Sequence, residues 1–600
     1  MHLTYGINKY KDKRYKSYSI ASSFREGDIV KKRILFPLGK LSEYEAEQIR
    51  FILKVKEGKV HVLSSIENIL PLKSLDYLDV AVANQLWEKW NMTRAFDQAY
   101  ITDSHLSTPL AAKVLVINRC INPGACYSVP KWIEKTALPQ ILKTDISGLN
   151  DDKLYYELTK IEENKPSLES HLFKVAYKAN PESFNYVNYD LSTSYFVGIR
   201  CKLSRFGRSK DDKSHHKQVI LAIMVNDDGY PFKWDVLPGN TAEVKTLKDN
   251  IDACKERFGL KGISVVFDRG IVSDQNLELI DKSELKYITA LDKNQIPKIK
   301  GIDLNLFKDL TIEGIEEQVE SLPEFIKYDH LLFYKDQGEI NGKRHILGIN
   351  PMLFVGEKKT RQEKLSAFKG FLDRLNEELR DTKKDRDQDI TRNKVKRELA
   401  RLKITRFFEE PILKEIEAKR ILTDGSIKRV KSYQIEIKTR DEKIEKASLL
   451  DGLCCFITNH TEKEDEQFLF SPKKVIHGYR NKAQIEDAFK HIKSFLKIRP
   501  FWVNTDEHVK AVYTICVLAY FINRDLARMR KEHEDKDFLN SKELYEPFRA
   551  LKLIQLKDER FGHRASRLIK PDQDELKIIR QLGFDHLLDK RRFQKIMAEK

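Results

Sequence analysis

The stretch HGYRNKAQIEDAFKHIKSFL, His477 to Leu496, decides how the rest of the chain is read. It has no Pro, its only Gly lies near its start, and helix formers dominate it, so it reads as one helix. On a wheel of about 100° per residue, Ile485, Phe489, Ile492 and Leu496 fall on one stripe, which should face a core. Tyr479, Lys482, Glu486 and Lys493 fall on a second stripe beside it. An acid set among two lysines and a tyrosine, at the edge of a buried face, asks for a chemical reason.

The chain has 600 residues, enough for several domains, and an apolar fraction of 41%, enough for real cores. Lys and Arg number 108 against 91 Asp and Glu, a formal charge of +17. That excess favours a polyanionic partner, nucleic acid or an acidic membrane surface. The opening MHLTYGINKYKDKRY carries charges but no apolar run of the signal-peptide kind. The longest apolar stretch, Val512 to Ile522, is too short to span a bilayer and reads as a buried helix. Seven cysteines without a C-x-x-C pair argue for a reduced, cytoplasmic setting and against a zinc site. Cys454 and Cys455 are adjacent on an expected strand, so their side chains point to opposite faces. Neither G-x-x-x-x-G-K-[ST] nor G-x-G-x-x-G occurs, so no nucleotide cofactor is expected.

The texture of the chain changes along its length. Residues 1 to about 60 mix short β-like runs with a charged helix, EYEAEQIRFILK, and residues from about 75 to 175 read as small helical modules. After Pro181 the runs FNYVNYDLSTSYFVGI, QVILAIMVN and FKWDVLPGN are β-rich. A helix follows, with Asn240 and Glu243 as its capping box. GISVVFDRG is then a short buried strand ending in a Gly turn, DQNLELIDKS a helix and LKYITAL a strand, which together predict a mixed α/β sheet. From about 295 to 450, short strands give way to a charged stretch in which Leu365, Phe368, Leu372, Leu375 and Leu379 alternate three and four apart. That seam reads as a helical hairpin packed on its own domain in preference to an oligomerisation coil. RVKSYQIEIKTR and LLDGLCCFITN return to β. NTDEHVKAVYTICVLAYFINRDLARMRK is a helix with Asn504 and Glu507 as its capping box, and the last seventy residues are basic and mostly helical.

Three acids stand out from this layout. Asp190 sits among apolar and aromatic neighbours in YVNYDLSTSYF, Asp268 ends the apolar run ISVVF, and Glu486 lies on the helix quoted above. Taken singly, each has a plain reading: Asp190 a strand-end or capping residue, Asp268 a turn residue, Glu486 part of a solvated face. Taken together, three carboxylates on a rigid sheet and helix suit two Mg²⁺ (or Mn²⁺) ions about 3.5–4 Å apart. One ion would activate a water or 3′-hydroxyl, and the other would stabilise the leaving oxygen of an in-line phosphoryl displacement.

The chain here resembles the DDE transposases of bacterial insertion sequences, in the large IS-four-type group. The group's signature is Tyr, two residues, Arg, three residues, Glu, six residues, Lys, and Tyr479, Lys482, Glu486 and Lys493 stand at those spacings. FGRSKDDKSHHKQVILAIMVNDDGYPFKWDVLPGN is similar to the family's G-x-S-K-[DN]-x-R…Q stretch and its P-G-N turn, and VVFDRGIVS to its A-D-R-G-M. LKIRPFWVNTDEHVKAVYTICVLAYFI is similar to the segment after the family's Glu helix, and FREGDIVKKRILFPLGKLSEYE also matches, so the likeness spans roughly 20 to 530. Two departures are visible. The family's Arg is Lys482, which keeps the charge but not the bidentate fork; Arg480, one residue from Tyr479, points about 100° away. Between Asp268 and Glu486 there is no Trp, on which some relatives stack a flipped base.

The resemblance implies an α/β protein with an RNase H-like catalytic core interrupted by a mostly β insertion domain with charged helices. The implied layout is an N-terminal region at 1–170 that binds transposon ends, mainly helical, the core in two parts at 171–294 and 451–530, the insertion at 295–450, and a basic helical tail at 531–600. It implies Asp190, Asp268 and Glu486 as catalytic metal ligands, with Tyr479, Lys482 and Lys493 holding phosphates. Lys210 and Lys213 are further candidates for the DNA backbone, alongside the plain reading of a solvated loop. The implied activity is Mg²⁺-dependent cut-and-paste transposition on double-stranded DNA, at terminal inverted repeats and a target site, by a homodimer in a synaptic complex. Alternatives to weigh are an RNase H-like nuclease without strand transfer and a non-catalytic DNA-binding regulator.

Overall fold

The structure is a computed structural model, and it describes residues 1–10, 13–27, 29–53, 66–97, 100, 106–208, 215–421, 427–501, 503–534, 540–559 and 564–589. The chain divides into two compact units. One comprises Met1–Leu75 with Lys552–Lys570, and the other Asp76–Leu551 with Pro571–Lys600.

The first unit opens with an antiparallel meander of β1 (His2–Tyr10), β2 (Lys13–Glu26) and β3 (Ile29–Gly39). Gly27, at φ +60°, supplies the left-handed residue in the β2–β3 turn. The helix Glu43–Leu53 follows, and Ser42 and Glu45 close a capping box at its start. β4 (Ile69–Asp76) pairs into a second sheet with the C-terminal hairpin of Lys552–Asp558 and Arg564–Leu568. The strands of residues 1–40 agree with the β-like runs read there, while the strands Ile69–Asp76, Lys552–Asp558 and Arg564–Leu568 are absent from the reading of a mainly helical 1–170 and a mostly helical tail. A period-two run such as KLIQLKD carries so many charged residues that the alternation is easily read as helix surface. The tail also holds the helix Gln573–Gln581, with a capping box from Asp572 and Glu575.

The second unit is built on a nine-stranded mixed sheet. Its strands are β5 (Tyr186–Phe196), β6 (Lys217–Asn226), β7 (Pro231–Pro238), β8 (Ser264–Phe267), β9 (Lys286–Ala290), β10 (Ile326–Asp329), β11 (Leu332–Ile340), β12 (Lys343–Ile349) and a last strand, Leu453–Thr458. In space the order is β10, β11, β12, Leu453–Thr458, β9, β8, β5, β6, β7. β8 runs parallel to both β5 and β9, and every other pairing is antiparallel. The helix Asp506–Glu534 buries Val512 through Ile522, as the apolar run predicts. It docks on the sheet through Tyr513, whose hydroxyl donates to the Ala222 carbonyl at 3.0 Å, and through Thr514, which accepts from Trp234 Nε1 at 2.9 Å. Its N-terminus is capped by Thr505, whose hydroxyl accepts from His508 N at 3.2 Å, in place of the expected Asn504. The other expected capping box is also replaced. The segment after the PGN turn starts as a 3-10 turn, Glu243–Thr246, with Ala242 before it and no side-chain cap from Asn240. Among the described residues no helix is long and apolar enough to cross a membrane.

Strands β10, β11 and β12 fall within 295–450 in sequence, yet they are hydrogen-bonded into the main sheet. The excursion that leaves the sheet starts at Asn350 and returns at Gly452. Its two ends meet, because Ile349 pairs with Leu453 and Asn350 N donates to the Gly452 carbonyl at 2.9 Å. The excursion contains the helices Pro351–Arg380 and Gln388–Arg401 and a two-stranded ribbon, Ile412–Ile421 with Ile427–Glu436. Phe368, Leu375 and Leu379 of the first helix pack with Val395 and Leu399 of the second and with Ile435 of the ribbon. Leu365 and Leu372 lie at the margin of that core, so the heptad seam closes a hairpin within its own module, as expected.

Candidate active site

Parallel pairing brings the two aspartates together. Tyr189 of β5 is in register with Phe267 of β8; Asp190 is the next residue of β5, and Asp268 is the first residue after β8. Neighbouring strands lie about 4.8 Å apart, so the two acids emerge side by side on one face. Each carboxylate is first oriented by its own chain: Asp190 Oδ1 accepts from Leu191 N at 2.7 Å, and Asp268 Oδ1 from Arg269 N at 2.9 Å.

The stretch His477–Leu496 is not one helix. It comprises the end of the helix Pro472–Arg480, the helix Ala483–Lys490 and a π-helical turn, His491–Phe495. Anchors far away in sequence make the break at Asn481. Its carboxamide donates to the Asp227 carbonyl at 2.8 Å, and Arg480 just before it pairs with Asp329 and stacks over Tyr328. The first helix rests directly on the sheet, since a Cβ on Gly478 would stand 2.7 Å from the Tyr186 ring. Ile485, Phe489, Ile492 and Leu496 are all buried, as their stripe predicts.

Three members of the second stripe, Tyr479, Lys482 and Glu486, gather near Asp268 despite the break. Tyr479 packs its ring against Phe456 with centroids 5.2 Å apart, and burial, with Asp268 nearby, holds its phenol well above the ordinary range. Lys482 lies 5.7 Å from the centre of that ring. Its ammonium is 3.1 Å from Asp268 Oδ1 and 3.7 Å from Glu486 Oε1. Burial tends to raise the pKa of Asp268, but the Lys482 charge and the Arg269 N–H outweigh it and hold the carboxyl below its usual range. Glu486 is exposed, its side chain 65% accessible, while Lys482 is only 12% accessible. Lys493 is buried on the π-helical turn. Lys210 and Lys213 lie outside the described residues.

A cleft of about 910 Å³ opens beside Asp268, lined by Thr193, Arg208, Asn240, Glu243 and Asp292 among others. Gln218, to which the sequence assigns no role, is also among its lining residues. Gln218 is 2% exposed, and its Nε2 donates to the carbonyls of Gly239 at 2.8 Å and Arg208 at 3.2 Å. A Cβ on Gly239 would stand 1.9 Å from the Gln218 carbonyl, and one on Gly207 would stand 2.2 Å from the Gly239 carbonyl. The glycines of FGRS and PGN are therefore needed for the close approach of these backbones. The two glycine turns, read as partners across β6, are the sequence signal that would have found this staple.

The description "Transposase DDE domain" matches residues 198–522, more than half of the chain. The chain belongs to the DDE transposase family. Asp268 and Glu486 fall inside the matched span of the transposase, and Asp190 stands eight residues before it. A second description, "IS1634 family transposase, N-terminal domain", matches residues 6–60. No curated protein matches the chain. Among solved structures, the transposase is similar to a piggyBac transposase synaptic complex with hairpin DNA, at 9% identity and a TM-score of 0.30, over 78% of this chain and 76% of that one. It is also similar to a Mos1 transposase paired-end complex with left transposon end, at 10% identity and a TM-score of 0.14, over 30% of this chain and 57% of that one.

Among the described residues, no three His, Cys, Asp or Glu side chains converge closely enough to enclose a metal ion. The donor set near Lys482 nevertheless fits a hard divalent cation in kind, being carboxylate oxygen throughout. A positive charge already stands between two of its members, in the form of the Lys482 ammonium.

Proposed function

We propose that this transposase acts at the ends of a mobile DNA element, cutting the strand and joining it to a target, with Asp190, Asp268 and Glu486 as its catalytic carboxylates. The observation that carries the reading is the parallel register of β5 and β8, which sets Asp190 beside Asp268, with Glu486 reached through Lys482. On this reading the sheet is an RNase H-like core, the excursion after β12 is the insertion, and the Tyr479–Lys493 spacing is the signature of the IS-four-type group.

The three carboxylates would hold Mg²⁺ or Mn²⁺, most simply two ions. Such ions would lower the pKa of the attacking water or 3′-hydroxyl and stabilise charge on the leaving oxygen. The chain's own residues do the rest. The buried stripe of Ile485 and Phe489 fixes the helix so that Glu486 is presented to the aspartates. Lys482 neutralises Asp268 and Glu486 in the free protein and is released to a strand phosphate when DNA enters. Tyr479, braced on Phe456, limits the arc through which that ammonium moves. The substrates are double-stranded terminal inverted repeats and target DNA, handled by a pair of protomers.

The test is strand cleavage and joining with Mg²⁺ on a plasmid carrying the coding segment with its flanking DNA. Asp268→Asn should abolish both steps while leaving the thermal transition in place. Cleavage unchanged in that variant would remove Asp268 from the site. Cleavage without joining in the parent protein would make it a plain nuclease.

A further inference from the structure

The strongest unassigned feature lies in the first unit, at the β2–β3 hairpin. From Ser23 to Arg33 every described side chain is exposed, whereas Tyr18 and Ala21, farther down β2, are buried. The hairpin is therefore an arm that leaves its own core. Its register is fixed by the pairs Ser23–Lys32, Phe24–Lys31, Arg25–Val30 and Glu26–Ile29. Each of its faces thus carries both cations and large apolar groups: Phe24, Ile29 and Lys31 on one, Arg25, Val30 and Lys32 on the other. Phe24 is 46% exposed, and Ile29 and Val30 are each 66% exposed. Large apolar side chains held in water on both faces of a ribbon contribute nothing to the unit's own stability, and they point to a partner. Over residues 1–40 there are ten Lys and Arg against three Asp and Glu.

We propose that the β2–β3 arm is a DNA-reading element that enters a groove of duplex DNA. It would place Arg25, Lys32 and Arg33 against backbone phosphates and Phe24, Ile29 and Val30 against sugars and base edges. The inference rests on the reading of the chain as acting at DNA ends. Three observations choose this occupant. A two-stranded ribbon is the size that a major groove about 12 Å wide admits. The cations occupy both strands and both faces, as engagement of the two phosphate walls of a groove requires. A second copy of the chain fits poorly, because pairing two β3 edges would bring Lys31, Lys32 and Arg33 of one copy against the same charges of the other.

The experiment uses the full chain and a short mixed-sequence duplex with a fluorescent end label, with binding measured by anisotropy across a salt series. Replacing Arg25, Lys32 and Arg33 together by Ala should weaken binding at least tenfold at moderate salt. It should also flatten the slope of log K against log salt by roughly two to three units, about 0.9 for each phosphate no longer neutralised. Phe24→Ser with Val30→Ser should weaken binding while leaving that slope unchanged. Unaltered affinity and slope in the triple variant would overturn the proposal, and so would loss of self-association in sedimentation velocity with DNA affinity retained. Asp268→Asn assayed for cleavage in parallel keeps the two readings apart. If its cleavage is lost while the arm variants bind DNA normally, only the arm fails.

Discussion

At the scale of single residues, Lys482 has the most specific consequence. Its ammonium sits between the two carboxylates that would receive a divalent ion, so protein cation and metal compete for the same oxygens. Lys482→Met should therefore lower the Mg²⁺ concentration that half-saturates cleavage, because the competitor is gone, while reducing the maximal rate tenfold or more, because a strand phosphate is left without its cation. A higher Mg²⁺ requirement in a Mg²⁺ titration of cleavage would show instead that the ammonium helps assemble the site. Lys482→Arg should keep most of the rate, since the fork reaches phosphate at least as well. A different residue contributes to the response of the fold to acid. His460 is stacked on Phe470 and bonded through Nε2 to Ser264 Oγ at 2.7 Å, and burial, helped by Lys286, pushes its pKa down to about 4. The unfolded chain takes up this proton first, near pH 6.5. Stability from neutral His460 is thus complete above that pH and is lost as the pH falls from 6.5 towards 4, up to about 3 kcal/mol for this one group. His491 is depressed to about 4 as well, again chiefly by burial, and adds to the same window. Thermal melts at pH 7 and pH 5 should show a clear fall, and His460→Asn should be less stable at pH 7 but less sensitive to pH. An equal pH sensitivity in that variant would remove His460 from the account.

At the scale of elements, the helix Ala483–Lys490 shows what a short amphipathic segment gains from packing. Ile485 is fully buried beneath it, one residue before Glu486. Ile485→Ala should cost about 2–4 kcal/mol and also slow cleavage, because the carboxylate is aimed by that packing. Glu486→Gln should abolish cleavage with almost no change in the denaturation midpoint. If Ile485→Ala lost stability but kept its cleavage rate, the helix would not need that anchor to present Glu486. The same element shows how far the sequence could be read. Its two stripes followed from helical spacing, and the burial of all four apolar residues agrees with them. Asp190 and Asp268 were visible because a charge in or at the end of an apolar strand run is costly without a purpose. The break at Asn481 was not visible, since its cause is Asp227 on a distant turn, and local propensity carries no trace of it. The two misplaced capping boxes failed for a related reason. Several Ser, Thr, Asn or Asp residues stood near each helix start; at Asp506–Glu534 the fold selects Thr505, and at Glu243–Thr246 it takes Ala242 with no side-chain cap. Gln218 was missed because its two partners are backbone carbonyls in loops on either side of it, which meet only when β6 is paired.

At the scale of the whole molecule, the excursion after β12 behaves as a module inserted into a finished sheet. Sequence texture located the break near 295, because strands β10 to β12 look like the start of something new, while their pairing assigns them to the nine-stranded sheet. The true departure is at Asn350 and the return at Gly452, and these two residues are already hydrogen-bonded to one another. A chain whose ends meet can be removed at the cost of closing a tight turn, and loop entropy favours the shorter connection. The module also has its own buried core around Phe368, Leu379 and Val395. Polar ties run from it back to the sheet, beside the buried Phe354 at the junction. Lys293 pairs with Glu357 at 2.5 Å, the Gly452 N–H donates to Glu357 at 2.8 Å, and Arg361 holds Asp451 at 2.7 Å. Replacing residues 352–450 by a four-residue Gly-Asn turn should therefore leave the sheet intact, with one cooperative thermal transition and little loss of strand signal in circular dichroism. Cleavage should fall to background, because Arg269 and Asp292 beside Asp268, the proposed catalytic carboxylate, also line a cleft of about 790 Å³ whose other wall is the removed module. Cleavage that survived the excision would show that the sheet, the Glu486 helix and Lys482 suffice for the chemistry, whereas an insoluble or molten product would show that the polar ties and the Pro351–Arg380 helix are part of the core fold.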